Sequence, residues 1–259
     1  METIFAYFVV YSFLGWGCEC VYCAALDHHF VNRGFLNGPF CPIYGCGALA
    51  VLILFAPFSN HLAFIFLSGA IAASIIEYIT SYFLEKLLNL KLWDYSHNKL
   101  NINGRVCLRN STLFGILSVL LVAFIHPRIS HLLTEIPAKW LHNLAIGFFI
   151  YFIIDTLASV HVFIKLKTKF EQVYALLEEK RALLESYKEN LQLEWNQKRA
   201  ERSEELKARI NQIKAELSRF HHYKFPYNRI LKAYPRIQSV KNQLRLHTLI
   251  ERIKESIKN

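Results

Sequence analysis

The charges of this 259-residue chain are distributed unevenly along its length. Only eight of its 30 Lys and Arg residues precede Lys165, whereas 22 lie from that position onward, alongside 12 Glu. Apolar residues make up 53% of the chain, and all of its long apolar runs lie before residue 165. This composition excludes an ordinary soluble domain and predicts an all-α membrane helix bundle followed by a basic helical tail.

Five apolar runs follow one another in the predicted transmembrane domain, residues 1–165. Each run is near the length of ~17–25 residues that a helix needs to cross the hydrocarbon core; the runs cover 3–25, 41–58, 61–86, 106–126 and 141–164. We do not expect the first run to be a signal peptide, because no Lys or Arg precedes Arg33 and the run is too long. The second run starts between Pro39 and Pro42, so a partly re-entrant segment is the alternative to a full span there.

Basic residues in the loops predict the orientation of the domain. Loops 26–40 and 87–105, with their borders, carry six basic residues: Arg33, Lys86, Lys91, Lys99, Arg105 and Arg109. The opposite side carries Arg128 and Lys139. We therefore expect an external N-terminus, with both loops and the tail in the cytoplasm.

The net charge of +10 comes from the tail and suits an anionic inner leaflet, so membrane lipids are expected partners. Nucleic acid is not an expected partner, because Glu residues are interspersed among the basic residues. Cys18, Cys20 and Cys23 form a C-x-C-x-x-C pattern, but on a helix the first two point about 200° apart. We therefore predict no metal site, and we expect no disulfide framework or cofactor either.

The tail, residues 166–259, begins with apolar residues in heptad spacing: Leu166, Phe170, Val173, Leu177, Leu184, Tyr187 and Leu191. The pattern lapses over 194–205 and resumes in a shifted register at Leu206, Ile210, Ile213 and Leu217. We predict a coiled coil over about 166–219, with a helical hairpin at the lapse as the alternative. Pro226 and Pro235 then interrupt the chain, and a final amphipathic helix is predicted at about 237–257.

Several ionisable residues lie inside the predicted spans: Glu19, Glu77, Asp155 and His161. A carboxylate in hydrocarbon is costly and normally faces a partner in the bundle interior. The adjacent loops supply Arg33, Arg105 and Arg109, which can pair with Glu19, Glu77 and Asp94. The cluster is therefore either a buried ion-pair network that locks the helices together or a cytoplasm-facing cavity for an anionic or amphipathic ligand.

Several motifs carry a resemblance to a known family. They are Gly15-Trp16 with Glu19 and Tyr22, then NRGFLNGPFCPIYGCG (32–47), Glu77, WDYS (93–96) and NINGR (101–105). Over roughly residues 1–165 the chain resembles the bacterial membrane-protein family described as putative ABC-transporter type IV (CmpB-like). The resemblance implies a multi-pass protein of the bacterial cytoplasmic membrane. Matching motif positions make up the candidate ligand-binding set: Glu19, Asn32, Arg33, Gly34, Glu77, Trp93, Asp94, Tyr95, Asn103, Gly104 and Arg105.

Three functions are compatible with these features. As a transport component the chain would need a separate ATPase, because it contains no G-x-x-x-x-G-K-[ST] motif, and its five short spans favour a homodimer. As an intramembrane enzyme acting on a lipid or lipid-linked phosphate, it would use Glu19 or Glu77 as a general base, although no nucleophile motif supports catalysis. The third function is a non-catalytic scaffold or sensor with the tail as its output.

Overall fold

A computed structural model describes residues 1–27, 30–55, 61–192, 197–222, 228–234 and 237–239, with single positions at 248, 251 and 255. Within this part the chain is mostly helical. The helices are α1 (Glu2–Asp27), α2 (Pro42–Phe55), α3 (Leu62–Leu88), α4 (Leu108–Leu120), α5 (His126–Thr134), α6 (Ala138–Gln192), α7 (Gln197–His222) and α8 (Asn228–Ala233). Four two-residue strands accompany them: β1 (Leu90–Lys91), β2 (Asn101–Ile102), β3 (Val106–Cys107) and β4 (Gln238–Ser239). The predicted all-α membrane bundle is thereby confirmed in outline.

Four helical segments in the described part are long and apolar enough to cross a membrane: Glu2–Ala25, Leu62–Leu88, Leu108–Thr134 and Ala138–Ser186. They correspond to the first, third, fourth and fifth predicted runs. The second run contains the shorter apolar helix α2, whose 14 residues measure about 21 Å. A fifth crossing therefore stays a prediction.

The fourth span differs from its predicted bounds for two local reasons. Val106 and Cys107 form β3, so the helix begins at Leu108 rather than at residue 106. At its other end, a π-helical turn over Leu121–Ile125 connects α4 to α5. Pro127 lies just after this turn and has no N–H to donate to the preceding turn, which is a common cause of such an irregularity. The helical path consequently continues to Thr134.

The predicted coiled coil is a hairpin within one chain, the alternative that the lapse left open. Helix α6 ends at Gln192, α7 begins at Gln197, and the two pack side by side. Their apolar residues are buried together: Phe170 and Val173 of α6 share a core with Ile213 and Leu217 of α7. On the exposed side of the hairpin, Arg209 donates to both carboxylate oxygens of Glu179, at 2.8 and 3.3 Å.

The end of the tail returns to the membrane domain. Strand β4 pairs antiparallel with β1, with Leu90 opposite Ser239 and Lys91 opposite Gln238. The predicted final helix therefore does not begin at 237, since Gln238 and Ser239 are in extended conformation. Most of its remaining length lies outside the described residues.

One hydrophobic core connects this returning tail to the loops. It joins loop 1 (residues 30–41) and loop 2 (residues 89–107) to the last turn of α3, to α6 and to the tail. Its members include Val31, Leu88, Leu92, Phe163, Ile230 and Ile237, all nearly inaccessible to solvent. The tail is thus packed against both loops rather than extended away from them.

Candidate functional site

Glu19 lies on α1, one turn after Gly15, where α1 contacts α2. A Cβ at position 15 would lie 2.3 Å from atoms of Tyr44, so the missing side chain lets the Tyr44 ring pack against α1. The Tyr44 hydroxyl then donates a hydrogen bond of 2.6 Å to Oε1 of Glu19. Arg33 approaches the other oxygen, with 3.8 Å between its Nε and Oε2. Of the predicted acidic and basic site residues, Glu19 and Arg33 therefore lie together.

The Arg33 guanidinium is held by several groups from different parts of the chain. Its Nε donates to Cys23 Sγ at 2.8 Å, and its Nη1 donates to the Ala233 carbonyl at the end of α8. Burial alone would lower the pKa of Arg33, but the hydrogen bond to Cys23 and the charge of Glu19 outweigh it and raise the pKa overall. Arg33 therefore remains a cation at the junction of α1, loop 1 and the tail.

Glu77 is a nearly inaccessible carboxylate on α3, with 5% of its surface exposed. Tyr95 of loop 2 donates to Oε1 at 3.3 Å, and Asn110 also interacts with the carboxyl group. The second oxygen, Oε2, accepts no hydrogen bond from any residue that the structure describes. Glu77 is therefore a buried carboxylate with an unused acceptor.

Glu19 and Glu77 belong to one electrostatic environment. Each carboxylate acts on Tyr95: burial raises the pKa of this phenol most, and the charges of Glu77 and Glu19 raise it further. The charge of Glu19 also acts on Glu77 itself. We name Glu19, Arg33, Tyr44, Glu77 and Tyr95 the polar cluster.

Arg105, one of the three arginines that the sequence offered as partners of the acidic residues, does not join the polar cluster. Its Nη2 donates to Glu85 at 2.7 Å, and its guanidinium lies over the rings of Tyr78 and Tyr82, 5.3 and 5.4 Å from their centroids. Arg109 also lies elsewhere, where it donates to the Tyr22 hydroxyl at 3.3 Å. Of the three predicted arginines, Arg33 is the one that the structure brings to Glu19.

The turn between β2 and β3 explains the position of Arg105. Asn103 and Gly104 both have positive φ, 53° and 68°, as the Asn-Gly pair of a type I′ turn requires. This turn directs Arg105 toward the outer face of α3, where Asn103 Nδ2 also donates to the Tyr78 hydroxyl at 2.9 Å. The predicted site residues Asn103 and Arg105 therefore hold loop 2 against α3 at Tyr78 and Glu85.

The remaining predicted residues of loop 2 stabilise the loop itself. Trp93 Nε1 donates to the Arg105 carbonyl at 3.0 Å. Asp94 accepts from both the backbone N–H and the hydroxyl of Ser96, at 3.0 Å each. The Tyr95 N–H donates to the Gly104 carbonyl at 2.8 Å, which positions the Tyr95 side chain over Glu77.

The predicted residues of loop 1 also fix a backbone path. Asn32 accepts from Trp16 Nε1 at 2.8 Å and donates to the Asn37 carbonyl at 3.0 Å. Gly34 has a φ of +108°, and a Cβ there would lie 2.7 Å from Cys41 Sγ. Asn32 and Gly34 thus fix the backbone on either side of Arg33, and their own atoms do not contribute to the cluster.

Asp155 on α6 positions loop 1, a role that the sequence did not indicate. Its two carboxylate oxygens accept the backbone N–H groups of Asn37 and Gly38, at 3.0 and 2.9 Å. Tyr151 and Ser159 also donate to this carboxylate, at 3.2 and 3.4 Å. The sequence signal was an acid inside an apolar run, but nothing in the pattern identified the two loop amides as its partners.

The tail covers the side of the cluster where Arg33 lies. Arg229 on α8 donates to the carbonyls of Gly34 and Phe35, at 3.1 and 3.3 Å, and burial lowers its pKa. The Tyr234 ring lies 6.0 Å from the Arg33 guanidinium carbon. Sequence reasoning missed Arg229, because nothing distinguishes it from the other basic residues of the tail.

In the part of the chain that the structure describes, no group of three His, Cys, Asp or Glu side chains is placed to hold a metal ion. The cluster instead offers two carboxylates, two phenols and one guanidinium among apolar helices. Such a set can bind the polar group of a ligand by hydrogen bonds and charge.

Comparisons with known proteins bear on the membrane domain. Neither curated proteins nor solved structures gave a match to this chain. A family model does match, over residues 6–160, which include most of α1, all of α2 to α5, both loops and every residue of the polar cluster. The chain therefore belongs to the family described as "Putative ABC-transporter type IV".

Proposed function

We propose that this protein is the membrane component of an ABC-type transport system and that the polar cluster binds its ligand. Membership of the family and the four apolar helices support a multi-pass transport component. The observation that carries the ligand site is Glu77, a buried carboxylate whose Oε2 accepts no hydrogen bond from the described residues. Burial without full compensation costs stability, and such costs are typical of functional positions.

The geometry favours an amphipathic ligand over a purely anionic one. The polar cluster holds two carboxylates, Glu19 and Glu77, but one arginine, and Arg33 already contacts Glu19. The excess of negative charge would repel a ligand that is only an anion. An ammonium or hydroxyl group, in contrast, could donate a hydrogen bond to Glu77 Oε2. The apolar part of the same molecule would lie between the helices.

A separate ATPase subunit is part of this proposal. The tail hairpin lies on the same side as loops 1 and 2, and α8 and β4 contact both loops. A subunit that binds the hairpin would thereby be connected to Arg33 through Ala233 and to loop 2 through β1. We place this face in the cytoplasm and the protein in the bacterial cytoplasmic membrane, with a homodimer as the assembled form.

The test compares Glu77→Gln with Glu85→Gln in the full-length protein purified in detergent. A glutamine at position 77 keeps the shape and can still accept from Tyr95, so Glu77→Gln should leave the melting temperature unchanged or raise it. Glu85→Gln leaves Arg105 without its carboxylate partner and should lower stability by about 1–3 kcal/mol. Mass spectrometry then identifies the lipids and small molecules that copurify with each variant.

For each variant, the amount of every copurified component is expressed relative to the amount of folded protein. We expect one component to be present with the wild type and with Glu85→Gln and to be lost from Glu77→Gln. ATP hydrolysis in the same eluates, together with the identity of the proteins that carry it, tests for the ATPase subunit. The ligand site is refuted if Glu77→Gln lowers stability as much as Glu85→Gln and retains every copurified component. Wild-type eluates without any ATPase would contradict the transport assignment separately.

A further inference from the structure

Loop 2 meets the first turns of α4 outside the polar cluster. An open groove of about 590 Å³ is present there. Among the described residues that line it, three are basic, one is an amide, three are apolar or hydroxylic, and none is acidic: His97, Asn98, Lys99, Leu108, Arg109, Thr112 and Leu113. Arg109 is oriented by its hydrogen bond to the Tyr22 hydroxyl on α1.

The groove continues into an apolar face of the same span. Leu113, which lines the groove, is followed at intervals of three and four residues by exposed apolar side chains: Ile116, Leu120 and Phe124. This spacing places them on one face of the helix. Because the segment Leu108–Thr134 is long and apolar enough to cross a membrane, we expect this face to contact acyl chains.

We propose that the groove binds the headgroup of an anionic phospholipid, with an acyl chain lying along the exposed face of α4. Lys99 and Arg109 supply the positive charge that a lipid phosphate and an acidic headgroup attract. The position of the basic residues at one end of an apolar helix face matches the amphipathic form of a phospholipid. A free phosphate would use the charges but not the apolar face, and a zwitterionic lipid would gain little from two cations.

The experiment counts lipids retained by the full-length protein. The protein is reconstituted in nanodiscs made from equal parts of phosphatidylglycerol and phosphatidylcholine, then released into native mass spectrometry. The wild type should retain phosphatidylglycerol in preference to phosphatidylcholine. In the double variant Lys99→Gln/Arg109→Gln this preference should be roughly 25-fold weaker, because loss of each basic residue near the membrane surface weakens it by about fivefold.

A matched control removes the same number of charges from the other end of the bundle. Arg128→Gln/Lys139→Gln should retain the wild-type preference, since neither residue lines the groove. Thr112→Trp fills the groove without changing any charge and should also lose the bound lipid. This variant keeps the test decisive if the double variant fails to fold, because Thr112 is exposed and can be replaced on the helix surface.

Equal retention of both lipids by the wild type would overturn the proposal, as would undiminished phosphatidylglycerol on the double variant and on Thr112→Trp. Stabilisation by inorganic phosphate to the same extent as by phosphatidylglycerol would identify an anion site instead and would also overturn it. The polar cluster is intact in all of these variants, so the result is independent of the proposed transport ligand.

Discussion

Arg33 and Arg229 make reciprocal contacts, although they are separated by almost the whole chain. Arg33 in loop 1 donates to the carbonyl of Ala233 at the end of α8. Arg229 on α8 donates to the carbonyls of Gly34 and Phe35 in loop 1. Each guanidinium therefore satisfies backbone acceptors of the segment that carries the other, and the tail is fastened to the residue that contacts Glu19.

Replacement of Arg229 by Ala should detach this end of the tail. Hydrogen bonds to charged groups contribute about 1.5–3 kcal/mol, so local opening of α8 from loop 1 should become at least tenfold more frequent. Hydrogen exchange of the loop 1 amides, measured by mass spectrometry, reports this opening. Arg209→Ala is the control, because its ion pair with Glu179 is exposed and should leave loop 1 exchange unchanged. Unaltered exchange in Arg229→Ala would show that the apolar core alone holds the tail.

The sequence predicts the helices of this structure better than it predicts the contacts that its side chains make. The helices of the membrane domain follow from apolar runs of suitable length, and the seam of the tail follows from heptad spacing. Within the site, Glu19 was expected to have a basic partner from the loops, with Arg33 among the candidates, because an acid in a span requires a nearby base. These features are local in the sequence, or depend on a general cost of burying charge.

The features that the sequence did not predict depend on local turn geometry or on distant contacts. Arg105 was one candidate partner of the predicted acidic residues, but the Asn103-Gly104 turn directs it to Glu85. Arg229 was one basic residue among many, and its role depends on carbonyls almost 200 positions away. Periodicity identifies which face of a helix is apolar, but it does not identify which backbone group a side chain will meet.

Gly38 should tolerate no side chain, because loop 1 runs directly against α6 there. A Cβ at this position would lie 1.6 Å from the Tyr151 hydroxyl oxygen and 3.0 Å from Asp155 Oδ2. We expect Gly38→Ala to lower stability by about 1–3 kcal/mol, since α6 or the loop must shift. The melting temperature of the purified protein measures this change.

Two further variants separate the clash at Gly38 from a general effect of glycine replacement. Tyr151→Phe removes the nearest atom and should recover part of the loss when combined with Gly38→Ala. At Gly147 on α6, an added Cβ meets nothing within 4 Å, so Gly147→Ala should be neutral or stabilising by up to ~1 kcal/mol. A Gly38→Ala protein as stable as Gly147→Ala would contradict the close approach.

The hairpin of α6 and α7 predicts cross-linking within one chain. Glu179 and Arg209 face each other in the described structure, with 2.8 Å between Oε1 and Nε. In a cysteine-free background, Glu179→Cys/Arg209→Cys should react with a short bismaleimide to give a monomer of altered mobility on a denaturing gel. Each single-cysteine variant should remain uncross-linked. Dimers from the double variant would instead indicate that the seams pair between chains.

The orientation of the bundle is testable at two exposed positions on opposite faces. Loops 1 and 2 contact the same tail segment, so α2 and α3 together must return the chain to the face where loop 1 lies. Five crossings, with α2 as the second, satisfy this requirement. The excess of basic residues then predicts that this face lies in the cytoplasm.

In a cysteine-free background, Lys99→Cys on loop 2 should be labelled by a membrane-impermeant maleimide only after the cells are permeabilised. Ala138→Cys, at the start of α6 and on the opposite face, should be labelled in intact cells. Both positions are exposed, so access to the reagent depends on the side of the membrane rather than on packing. Labelling of both positions in intact cells would place the loops and the start of α6 on one side, and labelling of position 99 alone would invert the topology.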